Sequence, residues 1–290
     1  MAAVFSAPMT SWASPDPADI EPPHADRAVR TKISDEIEIV AIRTGWVGIK
    51  EPHWNYEPPQ FLMTPRIFLS RTWHEWLPII SYVVVTPTEV VLIDTGAPPE
   101  INDPEFMACD SFSKYFYDKN LRFSAKPEDT IDRQMAELSI DPESVTKIVI
   151  THFHADHCGR IDRFPNAEVI TGRGNWPRHL GSVPCTLPPD LGPSFPEFLH
   201  GPVAAFETSE RLTEDGTVRV VPMYGHTNGH VGVVVVEDDR HWLMAGDATF
   251  SLAETEAVRI AGVSEDVDEA RRTQRRILRQ VEEFDTVLLP

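Results

Sequence analysis

Cysteine is scarce in this 290-residue chain: Cys109, Cys158 and Cys185 are the only three, widely spaced and odd in number. That count argues against a disulfide framework and fits a reducing compartment. Long apolar runs are missing too. No stretch approaches the roughly 20 residues that a membrane span requires. The N-terminus lacks the basic start and apolar core of a secretory signal, so the expected location is cytoplasmic. Basic residues are few beside acidic ones, 26 against 45, for a formal net charge of −19. Such a surface repels polyanions, which argues against nucleic acid as a partner. The chain also has no G-x-S-x-G elbow, no Walker-type loop and no G-x-G-x-x-G turn. Serine-nucleophile and nucleotide-binding readings therefore lack support.

What is present begins with a proline-rich, acidic segment over residues 1–34, expected to be a disordered leader. One domain is expected over 35–290. It opens on the β-branched run "EIEIVAIRTGWVGI", and "ISYVVVT" and "EVVLIDTG" flank a short turn as a hairpin would. From Asp103 to Leu138 the pattern turns helical, with Ile131, Met135 and Leu138 on one face. Strands return at "VTKIVITH" and "AEVITG", and after a proline-rich loop at "TVRVVPMYG", "HVGVVVVED" and "RHWLMAGD". A long helix follows with Ser264 as its expected N-cap and acids in its first turn. Two batches of strands, each with helices between or after, predict an α/β fold of αββα type: two sheets flanked by helices.

The stretch "THFHADHCGR" places His152, His154, Asp156 and His157 within six positions directly behind an apolar strand. Residues two apart on a strand point to one side, so His152 and His154 reach a common point beyond the strand end. Asp156 and His157 follow in the turn. Neutral imidazole and carboxylate are the ligands that zinc and similar borderline metals take. Two distant segments supply the same residue types. "MYGHTNGH" carries His226 and His230 in a glycine-containing turn, and "WLMAGDATF" ends an apolar run on Asp247, where a carboxylate can bridge two cations.

"HFHADH" resembles the His-x-His-x-Asp-His signature of the metallo-β-lactamase superfamily, and "LIDTG", "YGHTNGH" and "AGDAT" resemble its other motifs, in the family's order. The resemblance implies an αββα sandwich of two mixed sheets with a dinuclear metal site. His152, His154 and His226 would bind the first ion, Asp156 and His157 the second, and Asp247 would bridge them. Asp94 would orient the ligand loop by hydrogen bonds, and His230 falls outside the ligand pattern. In the family a last histidine follows the strand after the C-terminal helix. This sequence stops at Pro290, so we expect a domain truncated at its C-terminus and a second metal site short of one ligand.

The implied cofactors are two divalent ions. Zn2+ suits the ligand set best, and iron, manganese and cobalt tolerate it. Such a pair activates a shared water for attack on a carbonyl, so the expected activity is hydrolysis of a small-molecule lactone or ester, with Asp156 and Asp247 as catalytic carboxylates. The arrangement looks most like the N-acyl homoserine lactonase branch, whose members act in quorum quenching. Those enzymes carry a tyrosine three residues after the bridging aspartate, where this chain has Phe250. Tyr224 and His230 are the candidates for the missing donor. Trp54, Tyr56, Phe61, Trp73 and Trp76, with Phe195 and Phe198, are candidate pocket walls, most of them expected in the core. Two rival readings remain: a glyoxalase-II-like thioesterase, and a binding protein that kept the fold without turnover.

Overall fold

The computed structural model describes residues 16–290. Its first sheet is built from β1 (Ala28–Lys32), β2 (Glu38–Ile49), β3 (Leu77–Val85), β4 (Val90–Ile93), β5 (Leu121–Ser124), β6 (Val145–Val149) and β7 (Glu168–Ile170). The strand order is β1-β2-β3-β4-β6-β7, and β5 pairs with β2. The second sheet holds β8 (Glu210–Arg211), β9 (Val218–Pro222), β10 (Val231–Glu237), β11 (Arg240–Met244) and β12 (Asp285–Leu289), in the order β12-β11-β10-β9-β8. Both sheets are mixed: β4–β6, β6–β7 and β11–β12 are parallel and the remaining pairs antiparallel.

The period-two alternation of the strands builds the layers. One face of β4 and β10 contributes Val91, Ile93, Val231, Val233 and Val235 to the core between the sheets. Their neighbours point the other way. Val40, Ile42, Leu92 and Ile148 pack on Ile131 and Met135 of α4 (Ile131–Glu137). Val221, Val234 and Leu243 pack on Ile277 of a long helix over Val267–Glu283. Helix, sheet, sheet and helix thus stack in the expected αββα order. The other helices, in chain order, are α1 (Glu51–Trp54), α2 (Met63–Leu69), α3 (Ser111–Asn120) and α5 (Leu252–Glu256), which makes the long one α6.

Four expectations need correction. Residues 1–15 of the expected disordered leader lie outside the described residues, but its later part is ordered: β1 runs antiparallel to β2, and Asp16 pairs with Arg122. A boundary at residue 35 is therefore too late. The expected helical stretch from Asp103 to Leu138 is interrupted by β5, whose pairing with β2 overrides the local pattern. The N-cap of α6 is Asp266, which accepts from Glu269 N at 2.8 Å, whereas Ser264 Oγ donates to the Ala261 carbonyl. Finally, Cys109 and Cys185 form a disulfide with Cα atoms 6.4 Å apart. The cysteine count therefore carries no argument for a reducing compartment. Among the described residues, no helix is long and apolar enough to cross a membrane.

Candidate metal centre

Two strands and two turns deliver the site. Asp94 directly follows β4 and sits at φ +56°. A left-handed conformation at a non-glycine residue costs about 1–3 kcal/mol and persists only when the surroundings fix it. Here they do. Asp94 Oδ1 accepts from Thr151 N at 2.8 Å, and Oδ2 accepts from Thr151 Oγ1 at 2.8 Å and His157 Nδ1 at 2.7 Å. The loop after β6 is thereby pinned to the end of its parallel neighbour.

Hydrogen bonds also settle which ring nitrogen is free in His152 and in His154. Thr151 Oγ1 spends its proton on Asp94, so at 3.1 Å it accepts the proton of His152 Nδ1. His152 Nε2 is left with a lone pair. The Leu180 carbonyl, which can only accept, takes the Nε2 proton of His154 at 3.0 Å and leaves Nδ1 with the lone pair. Those two lone-pair nitrogens face each other at 2.7 Å, and His226 Nε2 lies 3.3 Å from His154 Nδ1. No proton remains between His152 and His154 to make that contact favourable. A cation does so, because nitrogen lone pairs converging with a carboxylate are a ligand set for a borderline divalent ion.

Asp247 supplies the carboxylate from the turn after β11. His152, His154, His226 and Asp247 each offer one ligand atom, all within 4.8 Å of one another. Asp247 Oδ2 is 3.5 Å from His226 Nε2 and 3.9 Å from His152 Nε2, while Oδ1 is 3.3 Å from His157 Nε2. It therefore stands between the three-histidine group and His157. Asp156 lines the cleft beside them.

Titration follows from this crowding. Burial, then the neighbouring imidazoles, lowers His152 well below the usual histidine range. Burial and His179 bring His154 down to about 4. Burial also holds His226 well below the usual range. Neutral imidazole is the form that binds metal. For His157 burial is opposed and outweighed by the carboxylates of Asp247, Asp94 and Asp156, which raise it well above the usual value. Burial raises the Asp156 carboxyl, with Asp247 adding to the effect against the pull of His157. Asp247 goes the other way: despite burial, His157 and His226 hold it well below the carboxylate range.

The proposed substrate contacts separate. Phe250 lines the cleft and stacks on Trp54 with ring centroids 4.9 Å apart, and His74 also stacks on Trp54, at 4.0 Å. Tyr224 and His230 are not among the lining residues. The Tyr224 carbonyl accepts from Thr273 of α6, and His230 is fully buried behind His152, ring centroids 5.2 Å apart. Of the other aromatic candidates only Trp76 lines the cleft. Trp73 packs under Arg122, Phe195 under Arg173, Phe198 joins the inter-sheet core, Tyr56 packs on the Ile260 cluster, and Phe61 is exposed. Cys158 is buried and donates to the His154 carbonyl.

Sequence reasoning missed His179 and Leu180. His179 Nε2 accepts from Phe153 N at 2.9 Å, and His179 Nδ1 donates to the same Leu180 carbonyl that orients His154. Gly181 completes this loop at φ +82°, where a Cβ would lie 2.6 Å from His154 Nε2. The cleft as a whole measures ≈ 2440 Å3. That is well above the roughly 300–1,000 Å3 of a ligand pocket, so only its end at the histidines is a chemical site.

A family model described as the metallo-beta-lactamase superfamily matches residues 74–287. A probable metallo-hydrolase of Mycobacterium tuberculosis is 31% identical over 189 residues, covering 59% of this chain and 57% of that protein. The chain thus spans little more than half the length of that relative. The N-acyl homoserine lactonase AttM of Agrobacterium fabrum is 26% identical over 213 residues, 69% of this chain and 76% of that one. Among solved structures, an N-acyl homoserine lactone hydrolase with N-hexanoyl-L-homoserine at its catalytic metal centre superposes with a TM-score of 0.66 at 18% identity, over 86% of this chain and 90% of that one. The dizinc quorum-quenching lactonase AidC does so with a TM-score of 0.58 at 16% identity, over 91% of each chain. At these identities the superpositions establish the fold alone.

Proposed function

The chain belongs to the metallo-beta-lactamase superfamily, and on that premise we propose that it is a metal-dependent hydrolase that opens a lactone or similar ester of a small acyl molecule. The observation that carries this reading is the convergence of His152, His154, His226 and Asp247 within 4.8 Å, with the lone pairs of His152 and His154 turned inward. His152, His154 and His226 would hold one divalent ion, Asp156 and His157 a second, with Asp247 shared. Zn2+ suits this nitrogen and oxygen set. The similarity to proteins named N-acyl homoserine lactonases supports the choice of lactone.

When bound, such ions supply a water ionised near neutral pH and a positive field for the carbonyl oxygen. The chain's own residues do the rest. Asp94, directly and through Thr151, orients His157 and His152, and the Leu180 carbonyl orients His154. The Asp247 carboxylate sits between the two ligand groups. Asp156 lines the cleft next to His157, where its carboxylate would complete the second set of ligand atoms. Trp54, Phe250, Ile49, Met63 and Ile67 give the cleft an apolar wall for an acyl chain and restrict water there.

Acid release from N-hexanoyl homoserine lactone tests the reading. Turnover should vanish on chelation, return with added Zn2+, and be abolished in His154→Ala and Asp156→Ala chains that keep the wild-type circular dichroism spectrum. Undiminished turnover in either variant removes that residue from the mechanism. Turnover on thioesters but not lactones would transfer the chain to the thioesterase reading.

A further inference from the structure

Glu265 is an acid just ahead of α6, and its place in the sequence suggests nothing more than a favourable charge near a helix start. Its contacts show something else. Oε1 accepts from Leu180 N at 2.6 Å and Oε2 accepts from Asn228 N at 2.7 Å. One carboxylate therefore joins the loop whose carbonyl orients His154 to the turn that carries His226. Its backbone contributes as well: Glu265 N donates to the His226 carbonyl at 3.1 Å, and Asp266 N donates to the Gly225 carbonyl at 3.0 Å. Gln60 Nε2 holds the Glu265 carbonyl from the far side at 3.1 Å. Glu265 forms no salt bridge with a Lys, Arg or His side chain among the described residues and does not line the cleft. Its charge is answered by backbone N–H groups of two loops.

We propose that Glu265 is a positioning residue that sets the spacing between His154 and His226, and so the affinity and geometry of the metal site. The inference rests on the metal-site reading above. Both ligands sit on irregular segments, joined at the sheet by Val231 N to the Thr151 carbonyl at 3.1 Å and at their outer ends by Glu265. His154 belongs to the chain after β6, and its Nε2 proton is taken by Leu180. His226 sits between β9 and β10. A two-oxygen acceptor with the reach of glutamate spans the loops at one fixed distance. The same helix ties down the third element, because Gln274 Nε2 of α6 donates at 2.7 Å to the carbonyl of Ala248, next to Asp247.

The test measures metal affinity of the full chain for Zn2+ by competition with a chromophoric chelator, together with the visible spectrum of the Co2+-loaded protein. Three substitutions separate reach from charge. Glu265→Asp keeps the charge and loses the reach, Glu265→Gln keeps the reach with one acceptor oxygen, and Glu265→Ala loses both. Outer groups that orient ligands typically change metal affinity about 10- to 100-fold. We expect losses of about 10-fold or more in the Asp and Ala chains, a smaller loss in Gln, and a shifted Co2+ spectrum in Asp and Ala. If the Ala chain does not fold, the Asp and Gln pair decides alone. An Asp chain with wild-type affinity and spectrum overturns the proposal. So do variants whose metal-free unfolding midpoint falls while affinity stays at the wild-type value, since that marks a role in the scaffold only. A wild-type chain that binds neither ion overturns the metal-site reading along with this one, whereas a metal-binding wild type with indifferent variants overturns the positioning role alone.

Discussion

Replacing Asp94 with asparagine keeps the volume and removes one acceptor oxygen from a buried site that serves three donors. If the amide nitrogen takes the Oδ1 position, the Thr151 N–H loses its partner. If it takes the Oδ2 position, both Thr151 Oγ1 and His157 Nδ1 lose theirs. The first orientation is the cheaper, and one buried donor left without a partner costs about 1–3 kcal/mol. Asp94→Asn should therefore lower metal-free stability by about that amount in a denaturant titration. The effect on the site should be of similar size, since a 10- to 100-fold affinity loss is about 1.4–2.7 kcal/mol. In the first orientation the amide oxygen still accepts from Thr151 Oγ1 and His157 Nδ1, but a neutral acceptor holds both more weakly than a carboxylate, and these bonds set the orientation and tautomers of two proposed ligands. Metal affinity should fall about 10- to 100-fold, as for other outer partners of ligating histidines. The assay pairs denaturant unfolding of the metal-free chain with chelator competition. Reduced stability with unchanged affinity would show that Asp94 merely fastens a loop, and no change in either would refute the tautomer argument.

Gly181→Ala puts a methyl group 2.6 Å from His154 Nε2 at a left-handed backbone position, and should weaken metal binding about 10-fold by pushing the ring off its Leu180 anchor; unchanged chelator competition would count against it. Thiol titration of the unreduced, denatured chain should find one group, Cys158, rather than three. Reducing the bridge, which closes a sequence separation of 76 residues, should cost about 2–4 kcal/mol in unfolding free energy. Asp110 caps α3 by accepting from Ser113 N, the main cause of its lowered carboxyl, with the Arg178 guanidinium adding to it. Asp110→Ala should cost about 1 kcal/mol near neutral pH. Because the folded value is depressed, this stabilisation is present above the unfolded carboxylate range and is lost as pH falls through the folded value. Wild-type and variant unfolding curves should converge in acid, and a gap independent of pH would contradict the cap.

The parts of the site that could be read from the sequence are local in origin. His152, His154 and His157 lie within one segment behind a strand, and Asp247 lies in the turn just after an apolar strand, so spacing and strand ends locate them. The groups that orient them were hidden because they act through backbone or across the chain. Leu180 acts through its backbone carbonyl and N–H, and the Glu265 carboxylate through backbone N–H groups, so neither carries a pattern. His179 is a solitary histidine in a proline-rich region, with no neighbour to mark it. The fold shows the same division. The apolar run of β10 is plain, whereas β1 shows little pattern because it is half-buried or exposed at a sheet edge. β5 owes its existence to pairing with β2. Ser264 and Asp266 are both good capping residues, and only the turn preceding α6 decides between them.

The most direct test of the account is the metal content of the purified chain, measured by elemental analysis after dialysis against metal-free buffer, beside an otherwise identical His152→Ala, His226→Ala double variant. The account predicts at least one tightly held divalent ion per wild-type chain, and its loss from a double variant that retains the wild-type circular dichroism spectrum. A wild-type chain without bound metal, or a double variant that keeps its ion, would contradict it.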